Sequence, residues 1–124
     1  MMPTISEQHK ELVRGYFKAV NEERWDHVLS LYHDDAVLHV PGRRPKVGKD
    51  RIRPFYVNIG DRFDKHVAEL TLLLADDEVA AATVRYDGTD RQGKAVDVYA
   101  CDNFRFTDDG RIIELRIVFD SAQM

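Results

Sequence analysis

Residues Val96–Phe106 read VDVYACDNFRF. Taken as a β-strand, the stretch sorts its side chains onto two faces. Asp97, Tyr99, Cys101, Asn103 and Arg105 share a mostly polar face. Val96, Val98, Ala100, Asp102, Phe104 and Phe106 share the other, where Asp102 is the one polar residue. A lone carboxylate on an apolar face costs several kcal/mol unless it finds a partner or stays protonated. So this stretch predicts two things at once. It is a long strand with one side in a core, and something about that core suits a carboxyl group.

Similar patterns lie on both sides of it. Residues 66–74, 78–87 and 111–119 read as strands, with DDE (76–78), DGTDRQG (87–93) and TDDG (107–110) as the turns between them. The last strand places Ile113, Leu115, Ile117 and Phe119 on one face. Long consecutive strands with short turns predict an antiparallel sheet. Upstream the period is helical. Thr4 and Glu7 have capping-box spacing, and Leu12, Val13, Tyr16, Phe17 and Val20 follow at helical intervals, so a helix is expected over 5–21. Trp25, Val28, Leu29 and Tyr32 mark a second, shorter helix that ends at HDD (33–35). AVLHV (36–40) reads as a short strand stopped by Pro41-Gly42, and RRPKVG (43–48) as a loop. A third helix is expected over 49–58, with Pro54 inside it. Helices first and strands later predict an α+β fold, in which a curved antiparallel sheet wraps three N-terminal helices into a cone with an apolar interior.

The chain of 124 residues is expected to form one domain over its whole length. Its net charge of −4, with no basic run, argues against nucleic acid as a partner. No apolar run approaches the ~18 residues of a membrane span. The first residues, MMPTISEQHKELVRG, have no signal-peptide segment, and Cys101 is the one cysteine. A reducing cytoplasm is therefore the expected compartment. His33, Asp34 and Asp35 read as a solvated turn, and no other His, Cys or carboxylate set has metal-ligand spacing. No glycine-rich phosphate loop or nucleophile motif is present, so neither a metal nor a cofactor is expected. Arg43 and Arg44 sit in the loop, where a pocket-rim role toward an anionic substrate is one reading beside plain solvation.

Two segments, RGYFKAVNEERWDHVLSLYHDDAVLHVPG and DNFRFTDDGRI, resemble the NTF2-like superfamily, and within it the SnoaL-like and ketosteroid isomerase-like branch. The resemblance runs from about Glu7 to Phe119. It implies the cone-shaped fold and a homodimer paired through the outer face of the sheet, with Tyr99, Cys101 and Asn103 as candidate contacts. Residue by residue, Tyr16 falls at the oxyanion-hole tyrosine of ketosteroid isomerases. Tyr32 and Tyr56 fall where some members place two tyrosines hydrogen-bonded to the first. Asp102 falls at the carboxylic acid that completes the oxyanion hole, held neutral by its apolar site. The family's general base is an aspartate before a proline. Matched from HDDAV that position is Val40; matched back from Gly48 and Gly42 it is His39.

The resemblance thus implies cofactor-independent acid–base chemistry on a small, mostly apolar carbonyl compound through an enolate, as an isomerase or a polyketide cyclase. In that scheme His39 moves the proton while Tyr16 and Asp102 hold the enolate oxygen. Tyr32, Tyr56, Phe104 and Phe119 would line the ligand space. Two other functions remain open. One is water activation of the kind found in limonene epoxide hydrolases, whose Asp-Arg-Asp set Arg85 and Asp102 would partly supply. The other is a ligand-binding or dimerisation module without catalysis, favoured if Val40 occupies the base position. The direction of the His39 side chain separates these cases.

Overall fold

The computed structural model describes residues 2–120 and 122. Among them are three α-helices and six strands: α1 (Ile5–Asn21), α2 (Trp25–Ser30), β1 (Tyr32–His39), β2 (Lys46–Val47), α3 (Lys49–Arg62), β3 (Phe63–Ala75), β4 (Val79–Asp90), β5 (Ala95–Phe106) and β6 (Ile112–Val118). The sheet is open, in the order β2-β1-β6-β5-β4-β3. Helices cover its inner face, giving the α+β cone.

Helix α1 starts at the expected capping box. The Thr4 hydroxyl accepts from the Glu7 backbone N–H at 3.2 Å, and the Glu7 carboxylate accepts from the Thr4 N–H at 3.4 Å. Its apolar stripe, Val13, Tyr16, Phe17 and Val20, is buried. At its far end the Asn21 amide takes both backbone groups of Ala68 in β3, donating to the carbonyl at 3.0 Å and accepting from the N–H at 2.7 Å. That clamp fixes α1 against the sheet, and with it the direction of Tyr16.

β3 is long and bent. Its pairing with β4 shifts register between Phe63 and Lys65 and again between Leu70 and Leu72, and such bulges curve a sheet. Gly88 in β4 allows the bend. A Cβ there would lie 2.7 Å from the Lys65 carbonyl oxygen and 3.2 Å from the Phe63 ring.

The structure corrects four expectations. The sheet is mixed: β1 runs parallel to β6, because the helices carry the chain back before β1 joins the edge of the antiparallel meander. His33–Asp35 belong to β1 and form a bulge, since Tyr32 to Val37 spans what Ile112 to Glu114 spans on β6. Lys46 and Val47, expected in a loop, pair with Leu38 and Val37 as β2. Helix α3 continues past Asn58 to Arg62, through both Pro54 and Gly60. Pro54 costs the helix one backbone hydrogen bond toward Asp50 but lies exposed. Gly60 stays helical where the Glu23 carboxylate presses close, 2.5 Å from the place of a Cβ.

The main core joins α1, α2, α3 and the inner face of the sheet, with Tyr32, Tyr56, Phe104, Leu38, Ile52, Ile112 and Leu115 fully buried. On strands β3 to β6, Val67, Leu72, Leu74, Tyr99 and Val118 are exposed. No helix among the described residues is long and apolar enough to cross a membrane.

Candidate active site

The ladders on either side of Asp102 explain its surroundings. It pairs with Ala82 of β4 and Ile117 of β6, and Phe104 follows it on the same face. Asp102 is 5% exposed, and among the described residues no group hydrogen-bonds its Oδ1. Burial alone pushes its carboxyl from the ordinary value up to about 7. The residue lines a cavity of about 880 Å³ together with Tyr16, Tyr56, Val84, Val98 and Ile117. A buried carboxyl with a free lone pair facing a cavity is placed to hold or move a proton near neutral pH.

Behind the cavity stands a chain of three phenols. The Tyr56 hydroxyl lies 2.6 Å from that of Tyr16 and 2.5 Å from that of Tyr32. Each comes from a different element: α1, β1 and α3. Burial raises all three above the usual tyrosine range, so each stays a neutral donor across the physiological range. Three O–H groups supply three donors for two internal bonds. With Tyr32 donating to Tyr56 and Tyr56 to Tyr16, the Tyr16 proton is left for an oxygen in the cavity, and each bond polarises the next. The ring of Phe104 meets Tyr16 edge-on, with centroids 5.3 Å apart.

Of the residues singled out from the sequence, Tyr16, Tyr56, Asp102 and Phe119 meet at the cavity, and Arg43 and Arg44 line it as well. Tyr32 and Phe104 lie behind it, fully buried, one bonded to Tyr56 and the other packed on Tyr16. His39 is outside it. Its Nε2 lies 3.1 Å from the Glu114 carboxylate, which also reaches Arg105 at 3.5 Å. Val40, the position given by the match through HDDAV, lines the cavity instead. Alternation held the clue: Ala36, Leu38 and Val40 form an apolar face, and a one-residue slip would reverse it.

Arg85 is likewise outside. Its guanidinium forks onto Asp97, at 3.0 and 2.8 Å, where both side chains are half exposed. It therefore does not join Asp102 in an Asp-Arg-Asp set. Sequence reasoning missed Tyr86, which lines the cavity with its hydroxyl buried and unbonded among the described residues. Its place on the same face of β4 as Ala82 and Val84 was the available signal. It also missed Arg51 and Asp50, which only the turn into α3 brings to the mouth. Among the described residues no group of three or more His, Cys, Asp or Glu side chains is arranged for a metal ion.

The model of the SnoaL-like domain matches residues 13–115, most of the chain. The chain belongs to the SnoaL-like family. Solved structures agree on its cone. Bal32a, from a soil-derived mobile gene cassette, is 27% identical with a TM-score of 0.85, covering 95% of this chain and 93% of that one. An NTF2-like protein of unknown function from Burkholderia pseudomallei is 18% identical with a TM-score of 0.86, covering 94% of each. The epoxide hydrolase/cyclase-like enzyme SalBIII, of pyran ring formation in the polyether salinomycin, is 23% identical with a TM-score of 0.81, covering 93% and 92%. For this SnoaL-like chain the last two likenesses speak to fold.

Proposed function

We propose that the cavity carries out cofactor-independent acid–base chemistry on a small, mostly apolar carbonyl compound, by way of an enolate. The observation that supports this most is the buried Asp102 carboxyl, unbonded at Oδ1 and facing the same cavity as Tyr16. Val40 rather than His39 at the lining is the outcome that favours a non-catalytic binding module, so the catalytic reading rests on Asp102 taking over the proton itself. Its carboxylate takes a proton from the carbon beside the carbonyl, and the C–H electron pair moves onto the carbonyl oxygen. Tyr16 donates its hydroxyl to that oxygen. The enolate then either recovers the proton from Asp102 at another carbon, an isomerisation, or attacks a second carbonyl, whose π pair moves onto its oxygen and takes the proton back from Asp102 as the ring closes. The apolar walls Val84, Val98 and Ile117 hold the body of the substrate and keep water sparse.

The test needs no natural substrate. The enzyme should catalyse exchange of the α-protons of 2-tetralone in D2O, followed by NMR. The exchange should rise with pH to a plateau, with a midpoint near 7, as Asp102 ionises. No exchange above buffer catalysis, with tetralone bound in the cavity, would favour a binding module instead. His39→Ala should leave exchange within about twofold and cost about 1–2 kcal/mol of stability, the scale of one partly buried hydrogen bond to a carboxylate. A loss of about 10²-fold would return the base to His39.

A second copy of the chain on the outer face of the sheet belongs to the same reading. Val67, Leu72, Leu74, Tyr99 and Val118 are apolar groups left exposed there. Light scattering should give twice the 14.3 kDa chain mass, and a monomer at micromolar concentration would contradict it.

A further inference from the structure

We propose that the cavity's ligand carries a fixed negative charge, a carboxylate or a phosphate, at the end remote from its enolisable carbonyl, and that Arg43, Arg44, Lys46 and Arg51 hold it. This rests on the preceding reading of the site and adds the class of substrate.

The chain as a whole has an acidic excess, 22 Asp and Glu against 18 Lys and Arg. The cavity reverses that balance. Arg43, Arg44, Lys46, Arg51 and Arg62 line it, against Asp50 at the mouth and the buried Asp102. Scattered arginines on a surface need no ligand, so segregation and pairing decide the matter. Neighbouring cations are paired away from the cavity: Lys49 with Asp34 at 3.4 Å, and Arg53 with Asp26 at 2.9 Å. Among the described residues Arg43, Arg44, Lys46 and Arg51 have no ion pair. Among the described residues Asp50 is the one carboxylate that lines the cavity beside them, and it leaves a surplus of positive charge.

The backbone adds to that surplus. Arg51 lies in the first turn of the 14-residue helix α3, whose N-cap is Gly48, so no side chain caps the positive end of the helix dipole. Arg43, Arg44 and Arg51 are exposed, whereas Asp102 is 5% exposed between Ala82 and Ile117 on the sheet, with Val84 and Val98 elsewhere in the lining. The cavity thus has a cationic rim, an apolar barrel and a carboxyl floor. Its complement is an amphiphilic anion of matching length, with the reacting carbonyl at the buried end. A low-dielectric wall beside the rim also strengthens attraction to such an anion as it enters.

Calorimetric titration with three naphthols tests this: 6-hydroxy-2-naphthoic acid, its methyl ester, and the 6-hydroxy-2-naphthyl phosphate monoester. The phenol oxygen stands for the enolate oxygen in each. At low ionic strength the acid should bind about tenfold tighter than its ester, the sum of two or three exposed pairs. That ratio should shrink toward one as salt shortens the screening length. Arg43→Gln/Arg44→Gln/Arg51→Gln should cut it to about twofold, the share of the one remaining cation, Lys46. The larger gain of the carboxylate or the phosphate identifies which group the rim takes, and either supports the proposal. An ester that binds as tightly as both anions overturns the anionic end alone. So does an advantage that persists undiminished in the triple variant. Failure of all three to bind overturns the enolate site together with it.

Discussion

At pH 8 the Asp102→Leu variant is expected to be more stable than the parent by about 2–4 kcal/mol, and to lose α-proton exchange by about 10³-fold or more. The stability gain follows from where the carboxyl titrates. Its value rises from 3.8 to about 7 on folding because burial penalises the charge. Between those values the unfolded chain has released the proton while the folded one keeps it. Folding stability therefore falls as pH rises from about 4 to about 7, and above 7 the folded protein carries a buried, destabilising carboxylate. Leucine removes that term and fills the space with methyl groups that match Ile117 and Ala82. The difference between parent and variant should be larger at pH 8 than at pH 4 in urea unfolding. Asp102→Asn should flatten the same pH dependence while also losing exchange. A merely structural carboxylate gives the opposite result, a destabilised leucine variant whose loss does not grow toward low pH.

Tyr56→Phe is expected to destabilise the protein by about 2–4 kcal/mol, more than either Tyr16→Phe or Tyr32→Phe, each expected near 1. Tyr56 is the middle of the phenol chain, so its loss breaks both bonds. The Tyr32 hydroxyl then has no partner at a residue with no exposure. Tyr16 can still bond to water in the cavity, which limits the total. Removing an end hydroxyl leaves one bond intact. The three variants separate again in activity. Tyr16→Phe should lower exchange by about 10²-fold, the scale of a lost oxyanion donor. Tyr32→Phe should lower it by only a few-fold, because it acts through two bonds. Equal stabilities for all three variants would contradict the chain.

The inner face of β5 was legible because alternation is local: from VDVYACDNFRF alone, Asp102 had to share a side with Val98 and Phe104. The capping box at Thr4 and the stripe containing Tyr16 were legible for the same reason. Long-range pairing was not. That β1 runs beside β6 in parallel depends on where three helices and a hairpin deliver the chain, and no residue in AVLHV encodes it. The bulge over His33–Asp35 looked like a turn because polar residues mark both. At the site, a tyrosine at the cavity and a tyrosine behind it look alike in sequence. Tyr56 and Tyr32 differ only in how α3 and β1 enter the cone. The cationic rim was half visible as Arg43 and Arg44, but Arg51 joins them only through the turn that starts α3 at Gly48.

The proposed chemistry depends on the carboxyl of Asp102, whose ionisation can be followed directly. The measurement is the 13C NMR shift of its side-chain carboxyl as a function of pH, assigned by the signal's loss in Asp102→Asn. A midpoint near 7, with a matching midpoint in the pH profile of α-proton exchange, is the predicted result. A midpoint near the ordinary carboxylate value of about 3.9 would contradict the account, since the carboxyl would then be hydrated or paired rather than buried and unbonded at Oδ1.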